Sequence, residues 1–229
     1  ISCGDLMGPR FHGDSLGDED SHPEPIGISE IIDATSYVEW KYCKITQDSL
    51  LYLQDFFGNF DNNPVWDIAF QRNHIKTNSG TSGIGNAGAY VDSIETWNGT
   101  VFNNLNEVEE GLNYFPDVTL NTFYNQTTHE FYENSSNPAL ETWAKIDTSN
   151  NYAVEFSNNQ FIIRTTNENS FYKFWIRDYY DENGNSAYIS LVYDLICTLD
   201  CAEECGGSAI IDACGDCNGA ITDPNDCNN

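Results

Sequence analysis

Trp66-Asp67-Ile68-Ala69-Phe70-Gln71-Arg72-Asn73-His74-Ile75-Lys76-Thr77-Asn78-Ser79-Gly80 is the stretch on which the reading of the fold turns. Trp66, Ile68 and Phe70 alternate with Asp67, Ala69 and Gln71, the period of two expected of a strand with one buried face. The run then enters a loop over residues 77–88, where Gly80, Gly83, Gly85 and Gly88 permit backbone angles closed to other residues. By itself the stretch reads as a strand followed by a long, glycine-rich loop.

Working outward, Tyr37-Val38-Glu39-Trp40-Lys41-Tyr42 also alternates, and residues 89–94 form a weaker third strand candidate. Residues 160–166, 170–180 and 186–195 read as three successive antiparallel strands. Asn183-Gly184 in the second connection supplies the left-handed angles of a tight hairpin. Helical periodicity is convincing nowhere; the best short candidate is residues 138–145, where Ala139, Leu140 and Trp143 could share a face. Aromatic residues make up 14% of the chain. Interleaved with Asn, Gly, Ser and Asp clusters, they favour an all-β fold. A chain of 229 residues buries one good-sized core, so the expected organisation is an extended acidic arm (1–30), a β domain (31–196) and a cysteine-rich tail (197–229).

Trp66-Asp67-Ile68-Ala69-Phe70 with Arg72 and Thr77-Asn78-Ser79-Gly80 resembles the WDIAF…R…TNSG core of the HmuY-like haem-binding surface proteins of Bacteroidetes-type bacteria. A second anchor is similar to that family's closing strands: Phe161-Ile162-Ile163-Arg164-Thr165, Tyr172-Lys173-Phe174, Asp178-Tyr179-Tyr180, Asn183-Gly184 and Tyr188-Ile189-Ser190-Leu191-Val192-Tyr193. Together the anchors span most of residues 36–195, while residues 97–151 do not align. The resemblance implies an antiparallel β fold shaped like a hand around a cleft. It also implies haem held by two side chains, two His or His with Met, from loops after the WDIAF strand.

Haem needs an axial ligand such as His, Met, Cys or Tyr, and the chain offers four histidines: His12, His22, His74 and His129. His129 lies in the right part of the chain, but a second histidine is absent there, so the family's pair does not carry over residue by residue. Met7 sits in the arm. The expected cofactor-binding residues are His129, His74, Arg72 and Lys76, the two cations facing the propionates. Their plainer readings are an exposed loop histidine, a surface or rim histidine, and two cations that balance an acidic surface. Tyr124 and Tyr132 are weaker ligand candidates.

Thirty-six acidic side chains against nine basic ones give a net charge of −27. That excludes nucleic-acid binding, which needs clustered Lys and Arg, and disfavours anionic membrane surfaces. A repulsive, solvated surface and divalent-cation binding both remain open. No apolar span is long enough to cross a bilayer. Ile1-Ser2-Cys3-Gly4 resembles the end of a lipoprotein signal, but processing at Cys3 would remove Ile1 and Ser2, so Cys3 is expected in a disulfide. Eight cysteines, six of them between Cys197 and Cys227, indicate an oxidising compartment, and the chain is expected outside the cell or on its surface. The tail resembles DCxxECGG…DxCGxCNG repeats of exported bacterial proteins. Disulfides are expected there rather than zinc at Cys214 and Cys217. Asp212, Asp216, Asp223 and Asp226 on Gly- and Asn-rich loops are candidate calcium ligands.

No GxSxG, HExxH or phosphate loop is present, so no enzyme is expected. The leading expectation is a surface protein that binds haem or a related tetrapyrrole for iron acquisition and passes it to an outer-membrane receptor. A subunit of a self-assembling filament or surface layer, joined to identical subunits by arm exchange and disulfides, is the alternative. A carbohydrate-binding module, stacking sugars on Trp97, Tyr114, Phe115, Tyr124 or Phe131, is a third. Asn98, Asn125 and Asn134 head N-glycosylation patterns.

Overall fold

The computed structural model describes residues 22–54, 60–109, 111–147, 153–219, 221–223 and 227. Two antiparallel sheets carry the fold. The larger runs β1 (Ile28–Asp33), β13 (Ser186–Thr198), β12 (Ser170–Tyr180), β11 (Asn159–Arg164), β6 (Gly88–Thr96). The smaller runs β3 (Leu50–Tyr52), β2 (Lys41–Ile45), β4 (Ile68–Gln71), β5 (His74–Thr77). Two hairpins stand apart: β7 (Val118–Asn125) with β8 (Glu130–Ser136), and β9 (Ala144–Asp147) with β10 (Ala153–Phe156).

The three closing strands form as the alternation predicts, with Gly184 at φ 81° in the tight turn between β12 and β13. Their inward residues, among them Phe161, Ile163, Phe174, Ile189 and Tyr193, meet Cys43, Ile68, Phe70 and Ile75 of the smaller sheet in one buried cluster. Strand β2 begins at Lys41 rather than Tyr37, because it is Lys41, Tyr42 and Cys43 that pair with β4. The WDIAF strand departs from the simple pattern as well. Both of its faces are covered, the second by Phe60 and Trp66 packed with Trp40, Tyr42 and Leu53. Asp67 is therefore buried, and its carboxylate accepts from the Ile45 and Thr166 amides at 3.0 and 2.8 Å.

The helix candidate at 138–145 shortens to a 3-10 turn, Leu140–Trp143, that plugs one end of the core. Asn137 Oδ1 accepts from the Ala139 and Leu140 amides, and the chain then turns directly into β9. A short helix, α1 (Gly99–Asn104), instead forms where no helix is predicted, capped by Asn98 and covering the outer face of the larger sheet through Phe102, Trp97 and Trp175. Buried Lys173 donates from Nζ to the carbonyls of Phe102 and Leu105 at the helix end, 2.7 and 3.0 Å away.

The described part of the arm lies on its own chain. The Ile26 amide donates to Asn103 Oδ1, Asn103 Nδ2 donates to the Glu24 carbonyl, and a side chain at Gly99 would collide with the Pro23 carbonyl. The arm then becomes β1, paired with β13. Cys3, Met7 and His12 lie outside the described residues.

Disulfides Cys197–Cys205, Cys201–Cys217 and Cys214–Cys227 hold the tail. Asp200 accepts from the amides of Ala202, Glu204 and Ala209, and Asp212 repeats the pattern with those of Cys214, Asp216 and Ile221. The bridge Leu199–Cys205 recurs as Ile211–Cys217. The tail is thus two copies of one aspartate-nucleated turn, cross-linked where a core of its own is lacking.

Candidate ligand cleft

The hairpin of β4 and β5 has two ends, and they differ in chemistry. At the loop end, Thr77 donates to Asp117 from both its amide and its hydroxyl, and Asn137 Nδ2 donates to the same carboxylate at 3.0 Å. Asn78 Nδ2 donates to the carbonyls of Asn63 and Trp66, while its Oδ1 accepts from the Gly85 amide. Gly80, at φ 52°, passes so close to the Asp117 carbonyl that a Cβ would collide with it. Burial pushes the Asp117 carboxyl up to about 6. The Thr-Asn-Ser-Gly string therefore joins the loops internally.

At the turn end a cleft of about 860 Å³ opens. Its wall is built from the turn of residues 71–74, from Phe123, Tyr124, Phe131 and Tyr132 of the β7–β8 hairpin, and from Tyr179, Tyr180 and Ser186 at the ends of β12 and β13. Ile146 and Val154 of the second hairpin complete it.

Arg72 lines this cleft with a positive φ of 54°. Its amide donates to the Ala34 carbonyl and its guanidinium to the Thr35 carbonyl and the Ser186 hydroxyl, at 3.2 and 3.1 Å. The guanidinium carbon lies 4.3 Å from the centre of the Tyr37 ring. Among the described residues no carboxylate forms an ion pair with it, a conspicuous vacancy in a chain of charge −27.

His74 is not a surface residue: it is only 5% exposed and stacks on Phe123 at 3.8 Å. Its Nδ1 lies 3.1 and 3.0 Å from the two oxygens of Glu141, which also accepts a hydrogen bond from the Ser136 hydroxyl. A carboxylate held on Nδ1 fixes the tautomer and leaves Nε2 as the basic atom, the arrangement that orients metal-binding histidines. Ser136 bonds to the carboxylate and not to the imidazole, so this trio lacks the hydroxyl–imidazole contact of an activated nucleophile.

The other expected site residues fall elsewhere. His129 sits exposed in the β7–β8 turn at φ 59°, outside the cleft wall, and its Nδ1 lies 2.8 Å from the hydroxyl of Tyr124, which does line the cleft. Lys76 is neither a cleft cation nor a surface charge. It is buried beneath Trp40, Tyr42 and Trp66, donates to the Tyr42 hydroxyl at 2.9 Å, and burial pulls its pKa down to about 8.

Of the sugar-stacking candidates, Trp97 and Tyr114 belong to buried clusters, and only Tyr124 and Phe131 reach the cleft. The described calcium candidates do not gather into a site. Asp212 spends its carboxylate on backbone amides, which hold it below the usual aspartate range, and no group of three His, Cys, Asp or Glu gathers among the described residues. Asp216 and Asp223 join no such group, and Asp226 lies outside the described residues. Cys214 and Cys217 bond to different partners, so they form neither a zinc pair nor a redox pair. Sequence reasoning missed Glu141, Phe123 and Tyr37. Glu141 carries no signal among so many acids, Phe123 sits in the stretch that does not align, and Tyr37 reads in sequence only as one residue of an alternating strand.

An antiparallel β body with an aromatic-walled cleft is the class this geometry defines. The sequence model described as HmuY protein matches residues 36–193, and the chain belongs to the HmuY family. Among solved structures, the apo HmuY analog of Tannerella forsythia superimposes with a TM-score of 0.55 at 22% identity, covering 77% of this chain and 98% of that one. A Bacteroides vulgatus structure described as HmuY-like and heme-binding gives 0.55 at 18%, covering 72% and 89%. Apo PinO from Porphyromonas gingivitis gives 0.51 at 17%, covering 73% and 97%. No curated protein matches the chain. At these identities the structural likeness speaks for the fold alone.

Proposed function

We propose that the cleft binds haem or a related tetrapyrrole, and that the protein does so outside the cell or on its surface in the service of iron acquisition. The observation that carries this reading is the pairing, on one aromatic-lined wall, of an imidazole fixed by Glu141 with a guanidinium that no described carboxylate neutralises. A volume of about 860 Å³ suits a ligand of that size. Haem supplies an iron that takes an axial imidazole, and its edge carries two carboxylates. His74 offers Nε2 to the metal, Arg72 meets a carboxylate, and Phe131, Tyr132 and Tyr180 exclude water from the ring faces. Support for export comes from the three disulfides, which persist in oxidising compartments. Among the described residues no helix is long and apolar enough to cross a membrane. Residues 22–33 lie on their own helix and sheet, so nothing in them favours the exchanged arm of a filament.

Haemin titrated into the protein is expected to give a shifted, saturable Soret band that His74→Ala abolishes and Glu141→Gln weakens by about tenfold or more in affinity. A flat titration of the wild-type protein would remove the reading.

A further inference from the structure

We propose that the outer edge of β1 receives an extended, basic segment of a partner protein, which joins the larger sheet as one further strand. The inference does not depend on the haem-binding reading.

An edge strand carries unpaired backbone groups, which a protein either covers or uses. The two main sheets end on four strands: β1, β6, β3 and β5. Strand β6 is covered, since Ala89 exchanges both backbone hydrogen bonds with Phe115, and the Asp92 carboxylate accepts from the amides of Ile94 and Glu95. Strand β5 is covered too. The Ile75 carbonyl accepts from the Asn137 amide and the Ser136 hydroxyl, and the Thr77 amide donates to Asp117. Strand β3 is only three residues long, which itself blunts an edge.

Strand β1 differs. It runs for six residues, pairs with β13 on one side, and has neither a proline nor a bulge. Just beyond it the Ala34 amide donates to the Ala187 carbonyl. Successive residues of an antiparallel strand point their backbone groups to opposite sides. Ile28, Glu30 and Ile32 therefore face β13 as Ala34 does, while Ser29, Ile31 and Asp33 aim their amides and carbonyls away from it. Among the described residues no hydrogen bond meets those outward amides. The Ile31 side chain is 65% exposed on the same strand.

Charge selects the occupant. Glu30 is half-buried on the core-facing side of β1, and Asp33 is exposed on the other. Burial first, then Cys43, Glu30 and Asp33, push the phenol of Tyr52 on β3 up to about 12, so both carboxylates act beside this edge. Lys41 of β2 acts on Asp33, yet neither acid forms an ion pair among the described residues. A strand added here would set alternate side chains beside Glu30 and beside Asp33, and lysine or arginine satisfies both. A second copy of this chain brings the wrong sign. Each copy carries −27, and its first 21 residues hold Asp5, Asp14, Asp18, Glu19 and Asp20 against Arg10.

The probe is a ten-residue synthetic peptide that alternates lysine with valine and threonine, titrated into the full chain beside a counterpart with glutamate in place of lysine. The basic peptide is expected to bind and to slow hydrogen exchange at the amides of Ser29, Ile31 and Asp33, while the acidic one does neither. Ile31→Pro removes an outward amide without taking a hydrogen bond from β13. It should lower the affinity by about tenfold or more, with the urea midpoint kept. Ile31→Lys, which leaves the backbone intact, should weaken binding through repulsion. Glu30→Gln should weaken it as well. Binding that is equal in Ile31→Pro and Ile31→Lys, or that leaves those three amides unprotected, would show attraction to the acidic surface at large and overturn the proposal. No binding of the basic peptide would overturn it too. A wild-type dimer in sedimentation that Ile31→Pro dissociates would overturn it by giving the edge to a second copy.

Discussion

The two ends of the β4–β5 hairpin are one strand length apart and have opposite chemistry. At the loop end Asn78, Thr77 and Asp117 satisfy one another and the neighbouring backbone so fully that the groups have nothing left for a ligand. At the turn end the Arg72 guanidinium bonds to the Thr35 carbonyl and the Ser186 hydroxyl with no ion pair to a carboxylate among the described residues, and the His74 imidazole is hydrogen-bonded at Nδ1 and stacked on Phe123. Both ends belong to the same signature stretch. The difference teaches that a family's most recognisable string can be its scaffold, with the chemistry lodged in the less regular residues between its fixed points.

The comparison predicts a clean division between stability and binding. Asn78→Ala should cost about 3 kcal/mol of folding stability, because the carbonyls of Asn63 and Trp66 and the amide of Gly85 lose their buried partner. Urea unfolding measures it, and a loss under 1 kcal/mol would break the claim that the loop end is welded.

A slightly smaller effect comes from pH. The folded-state pKa of Asp117 is raised to about 6, so the folded state binds a proton more tightly than the unfolded chain does. Its stabilising contribution is full below the ordinary aspartate pKa of about 3.9 and is lost as pH rises through about 6, a swing of about 2–3 kcal/mol. Asp117→Asn should flatten this part of the stability profile between pH 4 and 7, read from urea midpoints across that range. A variant profile parallel to the wild type would count against the buried carboxylate as its source.

At the turn end the sign of the division reverses. Arg72→Ala should leave the urea midpoint nearly unchanged and weaken haemin binding by about tenfold to a hundredfold, the worth of one hydrogen bond to a charged group. Equal haemin affinity in calorimetry would mean that the guanidinium only stacks on Tyr37.

Much of the body was legible because alternation survives translation into strands. The three closing strands need only local period-two patterning and an Asn-Gly turn, and they formed where expected. The helix at 138–145 shortens to the single turn Leu140–Trp143 because the chain passes at Ala144 directly into β9, whose pairing with β10 takes the residues a longer helix would need. Asp67 and Lys76 look exposed in sequence, since a charged residue is rarely buried. Burial became tolerable only once Ile45, Thr166 and the Trp40–Tyr42–Trp66 surround were brought to them.

The sequence by itself determined the β class, the family, the closing strands and the oxidised tail, because patterning, motif and cysteine spacing are properties of the chain read in order. Only the tertiary structure decided which residues could act together. Glu141 lies far along the chain from His74, as Ser186 does from Arg72, and Tyr124 reaches the cleft in place of His129. A binding site is a set of distances across sheets, and those distances are fixed by packing that no local pattern encodes.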